Sequence, residues 1–485
     1  MKRFPTHHGP LMNFMTLQQL ADILEGKLVC SSAEPAWATT YSDNSIDTRT
    51  LQRGDLFWAL PGTQADGHDF VPQAFLSGAS AAVVSRLEPS SPGGPVVLVP
   101  DVAAALARLA SWHRKYQDAL LIGVTGSVGK TTTREMLHQV LAQRFSGMQS
   151  PANYNNRLGV PLSLLRLESE HEYGVLELAA SATGEIAELS QLVAPEVGVI
   201  THIAPAHLDG FGTLDQIANT KAELFAALPA TGFAVIPEEF ASQPAVRRAV
   251  SCRLLKTGLG NDCDIQAHGV SQSEGILRFI VDRQHYALNV PGRHFLSSAL
   301  ICLAIAREFG MTPTEVQAGF QKFRPLPGRG RVLRIGHWTV VDDTYNASPV
   351  AVQAGLRMLT GLPVPGPRIA VLGDMLCLGD QTAYHHRRIG RDISRAGVDY
   401  LVTFGQAAHD YASGALQGGM SASRIAVFQD LEQLQHILGL WLTPGAALLL
   451  KGSRKMQLDR LIPWLEREST QVATLQTPAF LKRAG

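Results

Sequence analysis

Short apolar runs recur along the chain, and between them apolar positions return every three or four residues. The runs read as buried strands and the spaced positions as amphipathic helices. From about residue 117 the two kinds alternate. The strand-type runs are Leu120-Leu121-Ile122-Gly123-Val124, Gly174-Val175-Leu176-Glu177-Leu178, Val197-Gly198-Val199-Ile200 and Phe233-Ala234-Val235-Ile236. Such alternation predicts βαβ units and a mostly parallel sheet. Around residues 265–290 β-type residues alternate without long helices, which predicts a more antiparallel patch. Residues 295–309 read as a helix ended by Gly310, with Pro313 shortly after.

The flanking regions carry the same signals. Ahead of residue 117 there is a helix-like run, Leu17–Leu24, then β-type pieces at 55–60, 81–84 and 95–99, then a helical pattern over 102–116. The turn-rich Arg324-Pro325-Leu326-Pro327-Gly328 reads as a linker. Beyond it, strand candidates at 339–341, 368–372, 400–404, 424–428 and 446–450 are separated by helical stretches. This predicts an α/β protein of three domains, at 16–116, 117–325 and 326–485.

Length agrees: 485 residues suggest about three domains at roughly 150 residues each. With 45% apolar and 17% charged residues the chain is not of a disordered class. The 42 basic and 42 acidic residues cancel, so no global field favours nucleic acid or an anionic membrane. Five cysteines without a CxxC pair suit free thiols in a reducing compartment. No apolar run approaches the roughly 20 residues that cross a bilayer. The first residues, MKRFPTHHGPLMNFM, place Pro and His where a secretory leader needs an apolar stretch. A cytoplasmic protein is expected, and nothing demands more than a monomer.

The chemistry begins at Gly123. The stretch GVTGSVGKTTT follows a β-type run and opens a helical one. That is the layout of a phosphate-cradling P-loop. Small residues let backbone N–H groups of Thr125, Gly126, Ser127, Val128 and Gly129 face one concavity, at the positive end of the next helix. Lys130 would reach the β/γ phosphates, Thr131 would take a place on Mg²⁺, and Thr132 follows in the first turn. A nucleotide triphosphate is implied; its use is not.

Further polar clusters follow apolar runs, where an open α/β sheet places ligands. Glu177 ends a buried-type strand and can serve as the metal-holding acid. His207 lies in THIAPAHLDG after another strand, as a metal ligand or an orienter. Lys221 and Glu223, taken by themselves, read as a solvated helix face. Asp342-Asp343-Thr344-Tyr345-Asn346 follows the linker and reads as a surface turn or a site. Lys451-Gly452-Ser453-Arg454-Lys455 follows a strand and suits either anion binding or a basic surface loop.

Taken in order, TGSVGKTTT, ELAASATGEI, THIAPAHLDGFG, NTKAELF, VPGRH, PGRGRV, DDTYNASP, VLGDMLCLGD and KGSRKMQ resemble the Mur ligase family over roughly residues 40–460. DDTYNASP and VLGDMLCLGD resemble its dipeptide-adding branch. The chain departs from the family pattern at His202, Phe295 and Ser298, where asparagines are usual, at 179–182, and at Cys377.

The resemblance implies an amino-terminal UDP-binding domain, a central P-loop ATPase and a Rossmann-like carboxyl domain. It implies ATP and Mg²⁺ as cofactors, and UDP-N-acetylmuramoyl-tripeptide and D-alanyl-D-alanine as substrates joined through an acyl phosphate. Asp47, Thr48, Arg49 and His68 would seat the UDP-sugar. Thr131, Glu177, His207 and Lys221 would serve the metals, Lys221 after carbamylation. Arg329 and Asp343 would hold the nucleotide from across the cleft. Asn155 and Asn156 would form a substrate-side loop, with Tyr345, Asn346, Lys451, Ser453 and Arg454 on the substrate side of the third domain. The alternatives are another Mur ligase or a folylpolyglutamate-synthase-like ligase, a P-loop small-molecule kinase, or a nucleotide-switch binding protein.

Overall fold

The computed structural model describes residues 15–30, 39–62, 65–87, 94–151 and 153–476. Residues 1–14, read above as no secretory leader, lie outside the described residues.

Three α/β domains follow one another. In the first, the sheet runs in the order Lys27–Val29, Val96–Leu98, Ala81–Val84, Leu56–Trp58, Asn44–Ser45. The first pair is antiparallel and the rest are parallel. Helix Leu17–Leu24 starts from a capping box, in which Thr16 and Gln19 satisfy each other's backbone N–H groups. Helix Val102–Arg114 is capped by Asp101 and stops two residues earlier than its apolar pattern.

The central sheet has seven strands, all parallel: Ile265–Gln266, Arg253–Gly258, Phe233–Pro237, Val197–Ile200, Leu120–Thr125, Tyr173–Glu177 and Gly147–Gln149. The chain leaves the P-loop strand Leu120–Thr125 to build one side of the sheet, then crosses to the other side with Val197–Ile200. This reversal is a topological switch point, where open sheets form their ligand crevice. The expected antiparallel patch is the three-stranded sheet His268–Ser273, Ile276–Val281, Gln284–Leu288. Helix Phe295–Glu308 packs against the main-sheet strands Phe233–Pro237 and Arg253–Gly258 and against helix Lys130–Leu141, and is buried nearly all round.

The third domain has six strands, ordered Arg331–Ile335, Trp338–Asp342, Ala447–Lys451, Arg368–Gly373, Tyr400–Phe404, Ile425–Phe428. Only the edge strand Arg331–Ile335 is antiparallel. One buried apolar cluster runs through all three domains and includes Leu109, Leu164, Leu208 and Leu378. Among the described residues no helix is long and apolar enough to cross a membrane.

Candidate active site

The P-loop is held open by its neighbours. Helix Lys130–Leu141 starts from Gly129 at φ +85°, and Gly126 sits at φ +146°. A Cβ on Gly126 would lie 2.2 Å from Thr201 Oγ1, so only glycine fits there. The Thr201 hydroxyl donates to the Val128 carbonyl at 2.6 Å. Ser127 donates its N–H to the His202 carbonyl (2.8 Å) and its hydroxyl to the Ala204 carbonyl (2.8 Å). Lys130 Nζ donates to the Gly126 carbonyl at 2.7 Å. The buried Thr125 Oγ1 has no hydrogen-bond partner among the described residues.

Glu177 meets this loop from the adjacent strand end. It is 2% exposed. Thr131 Oγ1 donates to its Oε2 at 2.6 Å and Asn155 Nδ2 to its Oε1 at 2.8 Å, while its own N–H donates to Ser150 Oγ at 3.1 Å. Asn156 does different work: its Oδ1 accepts from the N–H groups of Leu158 and Gly159, where the helix Gly159–Leu164 begins. The two adjacent asparagines thus face a carboxylate and a helix end respectively.

Lys221 corrects the reading of a solvated helix face. It is 3% exposed and lies 5.3 Å from the centre of the Phe211 ring. Helix Leu214–Ala226 turns Ile217, Ala218, Lys221, Leu224 and Phe225 inward, so Lys221 falls on the apolar arc. Burial, and then the charge of Lys130, lower its pKa to about 7. Glu223 instead accepts from the N–H groups of Gly184 and Ala187 at 2.9 Å each. His207 stands at the outer edge in the left-handed region, φ 53°. Partial burial, then the charges of Lys130 and Lys221, hold its pKa below the ordinary value.

The third domain closes the other side. The Arg329 guanidinium stacks 3.9 Å over the Tyr345 ring. Its charge, after burial and the opposing influence of Glu177, adds to what depresses the Lys130 pKa, so the two cations share one crevice. Lys451 is 2% exposed; its Nζ donates to Asp343 Oδ2 at 2.5 Å and to the Asn346 carbonyl at 3.0 Å. Burial raises the Asp343 pKa against the pull of Lys451. Ser453 is buried, and its Oγ accepts from the Leu376 N–H at 2.9 Å. Neither Asp342-Asp343 nor Lys451-Gly452-Ser453 is therefore a surface loop; Arg454 and Lys455 are exposed, Arg454 paired with Asp459 at 3.0 Å.

The amino-terminal residues form their own group. Arg49 grips Asp47 with two N–H···O bonds, at 2.9 and 2.6 Å, and holds the Asp47 pKa at about 2. Thr48 lies between them. His68 is 2% exposed with both ring nitrogens engaged: the Ser85 N–H donates to Nε2 (2.9 Å), and Nδ1 pairs with Asp66 (2.7 Å). It shapes its loop rather than presenting a free nitrogen. No hydrogen bond or ion pair among the described residues joins this group to the P-loop.

Three residues of the site escaped the sequence reading. Thr201 ties the loop after its strand to the P-loop. Ser150 holds the Glu177 backbone. Arg134 is buried one helical turn beyond Lys130. Its signal was a charge at i+4 on the inward face of the P-loop helix, whose neighbours Thr131, Thr133, Met136 and Leu137 are all buried.

Comparison with known proteins gives the same picture. Residues 41–114 match the profile of the Mur ligase family catalytic domain, 124–306 the Mur ligase middle domain and 310–454 the Mur ligase glutamate ligase domain. The chain is 32% identical to the UDP-N-acetylmuramoyl-tripeptide--D-alanyl-D-alanine ligase of Bacillus subtilis, over 92% of this chain and 97% of that one. It is 32% identical to the Escherichia coli protein of the same name, over 94% and 99%. The crystal structure of MurF from Acinetobacter baumannii superposes with a TM-score of 0.81 at 28% identity, covering 93% of this chain and 98% of that one. MurF from Thermotoga maritima, in complex with ADP, gives 0.75 at 29% identity over 89% and 98%. With three Mur ligase profiles matched in chain order and relatives 32% identical over nearly their full length, the chain belongs to the Mur ligase family.

Proposed function

We propose that this protein is the ATP-dependent ligase that joins D-alanyl-D-alanine to UDP-N-acetylmuramoyl-tripeptide, in the cytoplasm and as a monomer, with domains at 16–116, 117–325 and 326–485. The observation that carries the reading is the meeting of Thr131, Glu177 and Asn155 directly beside the P-loop, with the third domain docked against it. The names of the full-length relatives give the substrates.

A carboxylate resists attack because its charge repels nucleophiles and oxide does not leave. Transfer of the ATP γ-phosphoryl group to one carboxylate oxygen gives an acyl phosphate and ADP. The dipeptide amine attacks the carbonyl carbon, a tetrahedral intermediate forms and loses a proton, and the C–O bond to phosphate breaks. An amide and inorganic phosphate remain. This chemistry asks for orientation and charge neutralisation rather than a protein nucleophile.

The residues fit those tasks. Lys130 is freed from the Gly126 carbonyl to neutralise phosphate oxygens. Thr131 and Glu177 present two hard oxygens 2.6 Å apart, the donor type that Mg²⁺ takes. Mg²⁺ held there would offset phosphate charge. Lys221, with a pKa near 7, keeps much of its amine neutral at physiological pH. A neutral amine adds CO₂ and releases a proton to give a carbamate, which turns the position anionic beside His207. Arg329 and Tyr345 cover the nucleotide side, and Asp343, Lys451 and Ser453 order the facing wall. That wall excludes water from the acyl phosphate.

The test is phosphate release with Mg-ATP, UDP-N-acetylmuramoyl-tripeptide and D-alanyl-D-alanine, omitting each in turn. Release is expected only with all three, together with a new amide. Equal ATP consumption without both peptide reactants would refute the assignment.

A further inference from the structure

Arg134 is among the largest fully buried side chains of the protein, and it stands outside the roles assigned so far. A buried guanidinium is costly unless its donors are matched. Here they are. Nε donates to Gln149 Oε1 at 3.0 Å and Nη1 to the Pro151 carbonyl at 3.1 Å. Nη1 also lies 3.8 Å from Glu177 Oε2, and Nη2 lies 3.9 Å from Glu135 Oε2. Glu135 accepts in turn from Gln149 Nε2 at 2.8 Å.

These contacts join three pieces of chain. Arg134 belongs to the P-loop helix Lys130–Leu141. Gln149 ends the edge strand Gly147–Gln149. Pro151 starts the segment that leads to Asn155. The residues on either side of Pro151 hold Glu177 twice, through Ser150 at its backbone and Asn155 at its carboxylate. The planar guanidinium with donors in a fixed fork can serve Gln149 and Pro151 together; a lysine ammonium lacks that geometry.

We infer that Arg134 is a positioning residue for Glu177. It locks Gln149 and Pro151 to the P-loop helix and places a positive charge behind the carboxylate, so that Glu177 stays aimed at Thr131. The inference rests on the reading of Glu177 as a metal-holding acid. Groups that orient a ligating side chain commonly change metal affinity by 10- to 100-fold when removed.

The experiment measures Mn²⁺ binding by electron paramagnetic resonance in the presence of a non-hydrolysable ATP analogue. It compares wild type, Glu177→Gln, Arg134→Lys, Arg134→Gln and the double variant Arg134→Gln/Glu177→Gln, each checked for folding by circular dichroism. Affinity of the analogue without metal is measured beside it. Arg134→Gln is expected to weaken Mn²⁺ about tenfold, and Arg134→Lys less. Metal-free analogue affinity should stay within about twofold, and the double variant should bind Mn²⁺ no more weakly than Glu177→Gln alone. Mn²⁺ affinity within about twofold of wild type in both Arg134 variants overturns the proposal. So does an equal loss of metal-free nucleotide binding, which would mark general collapse of the loop. If Arg134→Gln does not fold, Arg134→Lys decides by the same criteria. Unchanged Mn²⁺ binding in Glu177→Gln would instead refute the metal assignment itself.

Discussion

The backbone N–H of Leu208 donates to the carbonyl oxygen of Cys377 at 2.8 Å, and this bond joins the central and third domains beside His207. The backbone is in an unusual conformation on both sides of this junction: His207 has φ 53° and Cys377 φ 61°. A non-glycine residue in the left-handed region costs about 1–2 kcal/mol, so surrounding contacts must hold it. The junction therefore has a part in where His207 stands.

Gly379 tests that link. It has φ +55°, and a Cβ there would lie 3.0 Å from Asp209 Oδ1, two residues beyond His207. Gly379→Ala adds both a left-handed penalty and a contact against Asp209. Turnover is expected to fall several-fold while binding of a non-hydrolysable ATP analogue, followed by calorimetry, stays the same. A variant with full kcat would show that the junction does not help to assemble the site.

Lys130→Ala removes the cation at the mouth of the loop. Loss of a charge aimed at a transferring phosphoryl group costs on the order of 10²–10³ in rate. The expected result is turnover at least that far below wild type, with the UDP-substrate still bound, since Asp47, Arg49 and His68 share no hydrogen bond with the loop. Substantial phosphate release from the variant would remove the P-loop assignment.

Part of this site could be read directly and part could not. Gly126, Gly129, Lys130 and Thr131 lie within one turn and helix start, so their joint chemistry is local in the chain. Glu177 was legible because its strand is short, wholly apolar before it, and ends at the carboxylate. The burial of Lys221 was hidden by reading Asn219-Thr220-Lys221-Ala222-Glu223 as a polar block. Set against Ile217, Leu224 and Phe225 instead, its spacing places it on the inward arc. Asn155 and Asn156 differ by one residue yet face different partners, which only the turn geometry decides. The Lys451–Asp343 pair joins the ends of two segments more than a hundred residues apart, and no local pattern announces such a pairing.

Lys221 makes a prediction whose sign follows from proton counting. Its folded pKa, about 7, lies below the ordinary lysine value of 10.5. Between those values the unfolded chain binds a proton that the folded one does not, so this residue makes stability rise with pH across that window. Its cost to the fold is greatest at and below about pH 7 and vanishes near 10.5. Lys221→Met is therefore expected to melt higher than wild type at pH 7, in CO₂-free buffer, by a margin that shrinks as pH rises toward 10. A margin independent of pH would show that Lys221 is charged when folded. The same position should lose activity on Lys221→Ala, with partial recovery on adding short carboxylic acids, which replace the anion of a carbamate. Undiminished activity without rescue would take Lys221 out of the mechanism.

Asp343 and Lys451 allow the last test, because they form a buried ion pair whose members have unequal surroundings. Lys451 is 2% exposed, and Asp343 is its only carboxylate within ion-pair distance among the described residues. Asp343→Asn would leave the ammonium with the Asn346 and Asp343 backbone carbonyls but no anion, and stranding a buried charge costs about 3–5 kcal/mol. Lys451→Met removes the cation and leaves Asp343, whose pKa burial already raises, free to take up a proton more readily than an exposed carboxylate. The first variant is thus expected to lose more stability than the second in urea unfolding at pH 7. Lowering the pH below 7 should recover stability in Lys451→Met, as Asp343 takes up a proton, and give no such recovery in Asp343→Asn. Equal losses at both pH values would mean that the pair is hydrated and contributes little to the facing wall of the cleft.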